Sequence, residues 1–260
     1  MGYKVRDVVR AIEEFAPLSL QEGWDNSGLC IGSEDADVTS VLLGLDCTPE
    51  LVDEAIACGA DMIVTHHPLI FSGLKKITPD TLVGEAVIKA IKAGISIYAA
   101  HTSADKVIAG VSGAMAARLG LQNVRILDED GEGTGLGVVG DLPEPVTAED
   151  AVKLVKERFR LPALRASRPV EGKISRVAMC GGSGGSLIGA AVASGAQLYL
   201  SGDISYHNFF TREGFMIMDI GHYESEIEIV DILFSLLRKN FPTFAVRITQ
   251  NIYSNPIFYF

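Results

Sequence analysis

The chain has 260 residues, of which 48% are hydrophobic, so it can form one large domain or two of ordinary size. Its 22 basic and 33 acidic side chains give a formal net charge of −11. Such a charge disfavours nucleic-acid binding through a general basic field, so only a local basic patch, or one formed in an oligomer, could bind nucleic acid. Its four cysteines are far apart and form no Cys-x-x-Cys pair, which argues against a zinc ribbon or a disulfide framework and fits a reducing compartment.

The N-terminus leads into an amphipathic pattern and not into a signal-peptide core. Apolar residues at helical spacing (Val5, Val8, Val9, Ile12 and Phe15) predict a helix that ends before Pro17. No apolar run is long enough to span a bilayer. We therefore expect a cytoplasmic protein without a membrane partner.

The segment Trp24–Gly28 has the composition of a turn. Asp25 within it could be a metal ligand, or its carboxylate could close an Asx turn on its own backbone. The sequence alone leaves both alternatives open.

Strands and helices then alternate with short connections. The predicted elements are a strand at Val41–Leu45, a helix from Thr48-Pro49 to Ala57 closed by Gly59, a strand at Met62–Val64, a helix at Thr81–Ala93 closed by Gly94, and a strand at Ile95–Ala100. This rhythm predicts βαβ units and a parallel sheet. In such sheets ligands bind beyond the carboxyl ends of the strands.

Two histidines, His66 and His67, follow the Met62–Val64 strand directly. Neighbouring side chains on an extended backbone point to opposite faces, and Pro68 keeps His67 out of the helical region. The pair is therefore better suited to two metal ions than to one, although a polar turn that ends the strand would also explain it.

His101 and Asp105 follow the next strand, four residues apart. Asp105 could be a metal ligand or a helix N-cap. His101 could donate to a backbone carbonyl or hydrogen-bond to a metal ligand.

The second half of the chain continues the βα rhythm. The acidic, Gly-rich segment Leu127–Gly135 is the best loop or linker candidate. The predicted elements after it are strands at Leu136–Gly140, Arg176–Cys180, Gln197–Leu200 and Phe215–Asp219, a helix at Ala148–Phe159 with Thr147 as its N-cap, a long helix up to Lys239, and strand or aromatic packing at Phe244–Ile248 and Ile257–Phe260.

The Gly181–Ser186 loop could hold a phosphate with its backbone N–H groups, but it lacks the lysine of a P-loop, and a tight strand–helix turn explains it better. His207 could be an active-site acid or base, or a helical histidine with a structural role. His222 and Glu226 stand four apart at the opening of the long helix, so both can reach one site. A glutamate in a first turn also interacts favourably with the helix dipole, without any ligand.

Four segments together resemble the NIF-three-like family of hexameric proteins with a dinuclear metal centre, whose bacterial members are called GTP cyclohydrolase I type 2 homologues. They are Trp24–Leu29, Thr65–Phe71, His101–Asp105 and Asp219–Glu226, in the order of the family. The combination of His-His-Pro and Gly-His-x-x-x-Glu is specific. Ser103-Ala104 departs from the usual Asn and apolar residue, but the aspartate of that motif is present.

The resemblance implies that two divalent ions per chain (Zn, Fe or Mn) are held by His66, His67, Asp105, His222 and Glu226, with Glu226 as the bridge. It implies two α/β lobes with mostly parallel sheets flanked by helices and the metals in the cleft between them. The first lobe would comprise residues 1–103 and 227–260, and the second residues 104–226. A homohexamer is also implied.

The leading functional hypothesis is a metal-dependent hydrolase that opens the imidazole ring of GTP and releases formate, with His101 or His207 moving protons. The substrate, GTP or another nucleotide, comes from the resemblance, whereas the residues indicate only hydrolytic capability. A metallo-phosphoesterase would use the same two ions. The contrasting hypothesis is a non-enzymatic metal-binding or regulatory protein.

Overall fold

The computed structural model describes residues 2–251 and 255–259, and the chain divides into two compact units. Unit 1 comprises Met1–Ala104 and Ile229–Pro256, and unit 2 comprises Asp105–Glu228 and Ile257–Phe260. The chain therefore leaves unit 1 after Ala104 and returns to it at Ile229. The last residues group with unit 2 and not with the first lobe, because Tyr259 lies beside Gly221.

Short helices and strands alternate in the segment that leads up to unit 2. In chain order they are β1 (Tyr3–Lys4), α1 (Val5–Phe15), β2 (Gly28–Ile31), β3 (Asp37–Val38), β4 (Ser40–Gly44), α2 (Pro49–Cys58), β5 (Met62–Thr65), α3 (Leu82–Ala93), β6 (Ser96–Ala99) and α4 (Thr102–Asp105).

Longer strands follow in unit 2, and two further elements lead back into unit 1. Those of unit 2 are α5 (Val111–Leu119), β7 (Gln122–Gly131), β8 (Thr134–Thr147), α6 (Ala148–Phe159), β9 (Arg165–Ala166), β10 (Lys173–Ser183), α7 (Ile188–Ala193), β11 (Leu198–Gly202), β12 (Met216–Asp219) and α8 (His222–Glu226). The returning elements are α9 (Glu228–Asn240) and β13 (Ala245–Ile248).

The main sheet of unit 1 has the strand order β13-β4-β5-β6-β2, in which the first four strands are parallel and β2 runs antiparallel to β6. Every residue of β4, β5 and β6 is buried, which explains their continuous apolar sequences. Helix α2 begins at its Thr48 cap and ends at Gly59, whose φ of 66° favours glycine. The connections are thus set by local cap chemistry.

The sheet of unit 2 has the order β7-β8-β10-β11-β12-β9. Its three central strands, β10 to β12, are parallel, and the flanking pairs are antiparallel. Successive residues of β10 point to opposite faces of the sheet and pack in two different hydrophobic clusters. Val177 and Met179 belong to one cluster, and Ala178 belongs to the other. The predicted α/β class with sheets flanked by helices is confirmed, and in unit 2 the parallel order is limited to the central strands.

Two details differ from the sequence-based predictions, and one alternative of a third prediction is absent. The Leu127–Gly135 segment is not a linker but the tip of the β7–β8 hairpin, which turns at Gly133 with a φ of 72°. The long C-terminal helix is interrupted at Ile227 and forms α8 and α9. Within 255–259 no strand is present, and Phe260 lies outside the described residues.

Within the described ranges, none of the helices combines the length and the apolar character needed to cross a membrane.

Candidate metal centre

Three imidazoles meet at one edge of the unit 1 sheet. His66 and His67 follow β5, and His101 follows β6. Because β5 and β6 are paired in parallel, the residues after them emerge at the same edge. The ring centroids are 5.0 to 5.6 Å apart, and one nitrogen from each ring lies within 4.8 Å of the others. This spacing places His101 beside the two candidate ligands His66 and His67, within reach of an ion that they hold.

Hydrogen bonds fix the orientation of the two adjacent histidines. The Nδ1 of His66 bonds to the backbone oxygen of Ala100 at 2.9 Å, and the Nδ1 of His67 bonds to Asp46 at 2.7 Å. A carbonyl oxygen can only accept, so Nδ1 of His66 carries the hydrogen and Nε2 of the neutral ring carries the lone pair. Metal-binding histidines are oriented in this way.

His101 is oriented by Asp25, whose side chain is fully buried. The Nδ1 of His101 lies 2.7 Å from Asp25 Oδ1, and Thr102 and Ser27 donate to Oδ2 of the same carboxylate. Burial by itself raises the pKa of Asp25, but the hydrogen bonds from His101, Thr102 and Ser27 outweigh it and hold that pKa well below its usual range. Asp25 is therefore ionised and acts on His101, which neither sequence alternative had proposed.

Unit 2 contributes a second group, on helix α8. The Nε2 of His222 lies 3.0 Å from Glu226 Oε2, so the four-residue spacing does place both side chains on one face. The Nδ1 of His222 bonds to Asp203 at 2.7 Å. Asp203 has a φ of 50°, a left-handed conformation that is uncommon outside glycine and is found at functional sites.

The glycine loop after β10 makes room for Glu226. A Cβ on Gly182, whose φ is 61°, would lie 2.2 Å from Glu226 Oε1. The backbone N–H groups of Gly182 and Gly184 donate to Ser225 and Ser201, each at 2.9 Å. These two donors are used within the protein, which supports the tight-turn interpretation of this loop.

Asp105 is the last residue of α4 and the first of unit 2. Burial, together with the nearby charges of Asp105 and Glu226, raises the pKa of the Cys180 thiol to about 12. Two carboxylates therefore act on the same buried sulfur. A carboxylate oxygen of Asp105 lies within 4.8 Å of one of Glu226, and two negative charges this close favour a bound cation.

His207 lies elsewhere in unit 2. It is exposed in a 3₁₀ turn at Tyr206–Phe209, where its ring stacks on Phe210 with a centroid distance of 6.4 Å. Among the described residues it belongs to none of the groups of closely spaced metal-ligating side chains. A proton-transfer role for His207 stays a prediction.

The donor set of both units fits divalent ions. Imidazole nitrogens with fixed tautomers and buried carboxylate oxygens are ligands that Zn, Fe and Mn accept. Sequence reasoning missed the carboxylates of Asp46 and Asp203 and the steric role of Gly182. No motif spacing signals them, because their partners lie 19 to 44 residues away.

Comparison with known proteins identifies the family. The profile of Duf34/NIF3 (NGG1p interacting factor 3) matches residues 3–256. A Clostridium perfringens protein named GTP cyclohydrolase 1 type 2 homolog is 38% identical over 228 residues, which cover 86% of this chain and 87% of the relative. A protein of the same name from Clostridium acetobutylicum is 37% identical over 231 residues, which cover 87% of this chain and 86% of the relative.

Solved structures agree. The crystal structure of a Staphylococcus aureus hypothetical protein matches with a TM-score of 0.92 at 30% identity and covers 100% of both chains. A Bacillus cereus protein related to NIF3 matches with a TM-score of 0.92 at 25% identity and covers 100% of this chain and 99% of its own. Because the family profile spans nearly the whole sequence and these relatives share its length, the chain belongs to the DUF34/NIF3 family.

Proposed function

We propose that this protein is a hydrolase that depends on two divalent ions per chain. The ligands would be His66, His67, Asp105, His222 and Glu226, with Glu226 bridging the ions. The observation that carries the proposal is the orientation of the histidines. In both units the Nδ1 of a histidine is hydrogen-bonded to an oxygen acceptor, which leaves the Nε2 of that ring to bind a metal ion.

When bound, a pair of such ions supplies Lewis-acid polarisation and an activated water nucleophile. The protein's own groups would hold the substrate and move protons. His101 is the best placed, because its ring lies beside His66 and His67 and ionised Asp25 holds its Nδ1, which leaves Nε2 to exchange a proton with the substrate. Thr102 and Ser27 fix Asp25 in turn.

The proposed substrate is GTP, as the names of the relatives suggest. One water would add to the carbon between the two nitrogens of the guanine imidazole ring and open the ring. A second water would release that carbon as formate and leave an amine on the pyrimidine. Both steps are hydrolytic, so no oxidant or reductant is needed.

Formate release from GTP tests the proposal. Protein reconstituted separately with Zn, Fe and Mn should release formate with at least one metal, and Glu226→Ala should abolish the release. Glu224→Ala, a carboxylate on the same short helix, is the matched control and should retain activity. Release of phosphate without formate would replace the proposal with a phosphoesterase, and metal binding without any turnover would indicate a non-enzymatic role.

A further inference from the structure

We infer that Trp24 and Phe71, called here the aromatic pair, form the surface on which a planar heteroaromatic ring of the substrate stacks. The inference rests on the proposed function, because it assigns the aromatic pair to the same site. The ligand class is a flat π-system such as a purine, pyrimidine or pteridine, and the pair would position it next to His101.

The aromatic pair lies against His101, one of the three neighbouring histidines of unit 1. The rings of Trp24 and Phe71 have centroids 5.8 Å apart, and their centroids lie 6.1 and 6.2 Å from that of His101. Both rings meet His101 edge-on, at 75°. The aromatic pair therefore forms an apolar surface directly beside His101.

The aromatic pair is open to solvent despite its size. Trp24 is 59% exposed and Phe71 is 54% exposed. Leaving so much aromatic surface in water forgoes the stabilisation that burial would give. Adjacent exposed apolar groups beside a polar site are typical of a binding surface.

Hydrogen bonds hold the two loops that carry the aromatic pair. The side-chain amide of Asn26 donates to the backbone oxygen of Ile70 at 2.6 Å, which joins the loop of Trp24 to that of Phe71. The carboxylate of Asp25, directly after Trp24, accepts from His101. The two loops that carry the rings are thus tied to each other and to His101 before a ligand binds, which lowers the entropic cost of ordering them on binding.

The geometry selects the mode of stacking. A ring inserted between two parallel rings needs about 7 Å between their planes, twice a carbon–carbon contact of about 3.5 Å. The aromatic pair is 5.8 Å apart and tilted by 46°, so nothing fits between its members. The ligand ring would lie on the outer face of Phe71, with its edge toward His101 and close enough to Trp24, 5.8 Å from Phe71, to quench its fluorescence.

Trp24 is the single tryptophan of the chain, so its fluorescence reports on this surface alone. Metal-loaded protein is titrated with GTP, with guanosine and with ribose 5-phosphate, which lacks the ring. GTP and guanosine should quench Trp24, and ribose 5-phosphate should not. Absence of quenching by both ring-containing probes, or equal quenching by ribose 5-phosphate, would overturn the inference.

Variants identify the contact. Phe71→Leu should weaken the apparent affinity for GTP about ten-fold, as loss of one aromatic stacking partner does. Ile91→Ala, which removes a side chain that is 60% exposed in the same unit, should leave the affinity unchanged. An unchanged affinity of Phe71→Leu for GTP contradicts the inference. A lower molecular mass of that variant in light scattering also contradicts it, because the aromatic pair would then be part of a contact between subunits.

The fluorescence titration requires no turnover, so it separates this inference from the proposed activity. Quenching with the expected variant pattern but without formate release would remove the hydrolase proposal and keep the stacking surface. Formate release with an unaltered KM for GTP in Phe71→Leu would keep the hydrolase proposal and remove the stacking surface.

Discussion

Three aspartates share one task at the scale of the single residue. Asp25, Asp46 and Asp203 each lie 2.7 Å from the Nδ1 of a histidine, which they orient and hold in one tautomer. A carboxylate in this position also makes the imidazole a stronger ligand or base. The chemistry of each histidine thus depends on a residue that is distant in sequence.

Asp203→Asn should lower the metal affinity about ten-fold, because the amide keeps the shape but loses the charge that supports His222. Asparagine tolerates the left-handed φ of 50°, so stability should change little. A competitive chelator titration measures the affinity. Asp128→Asn, an exposed carboxylate of the same unit, is the control, and equal affinities in both variants would refute a supporting role for Asp203.

Asp25→Asn should change how stability depends on pH. The pKa of Asp25 is depressed in the folded protein, so its contribution is present above the unfolded value of about 3.9 and is lost as pH falls below it. Wild-type protein should therefore lose more free energy of unfolding between about pH 5 and pH 3 than Asp25→Asn does. At pH 7 the variant should be about 2 kcal/mol less stable.

Denaturant unfolding at each pH tests this prediction for Asp25. Asp80→Asn, which removes an exposed carboxylate from unit 1, should follow the wild-type curve. Parallel curves for wild type and Asp25→Asn would show that the carboxylate has no lowered pKa in the folded protein.

At the scale of helices and strands, the features that depend on neighbouring residues in the sequence could be predicted. Thr48 and Thr81 cap α2 and α3 through their hydroxyls, and Gly59 and Gly94 end these helices in the left-handed conformation. These signals act within a few residues, so the predicted helix bounds agree with the structure to within one residue. The four-residue spacing of His222 and Glu226 was equally local.

Long-range pairing could not be predicted from the sequence. The acidic Leu127–Gly135 segment resembles a linker because its charges are exposed, yet backbone pairing with β8 makes most of it strand. The contact between Asp25 and His101 spans 76 positions. Composition carries no information about which aspartate meets which histidine, so the motifs predicted candidate ligands but not the carboxylates that orient them.

The contact between the end of β10 and helix α8 yields a prediction at the same scale. Gly182→Ala should displace the Glu226 carboxylate, because the added Cβ would lie 2.2 Å from Oε1. The flexible side chain can move away, so the main loss should be in metal affinity. The left-handed φ of 61° adds a stability cost of about 1–2 kcal/mol.

Gly195→Ala separates the two effects of the Gly182 substitution. Gly195 has a φ of 78° but no atom within 4 Å of an added Cβ. Both variants should lose similar stability in thermal unfolding, but only Gly182→Ala should lose metal affinity. Equal metal binding by the two variants would show that Glu226 does not need the space at Gly182.

For the whole molecule, we predict about two ions per chain after reconstitution, as expected for a two-metal site. Glu226→Ala should remove both ions, because it is the proposed bridge, and His67→Ala should weaken chiefly one. Elemental analysis after gel filtration measures the content. Free metal at 100 times its dissociation constant should stabilise the fold by about 2.7 kcal/mol, and a wild-type protein that holds one ion or none contradicts the prediction.

Assembly is the last prediction: we propose a homohexamer. Ile257, Phe258 and Tyr259 are 57%, 58% and 48% exposed within the chain, so packing in their own unit covers only about half of each. Neighbouring apolar side chains that are left so exposed favour burial against another subunit. With a net charge of −11 on every subunit, association must come mainly from apolar contacts and should vary little with salt. Light scattering of metal-loaded protein at low and high salt should give the hexamer mass at both, whereas a monomer mass at both would exclude it.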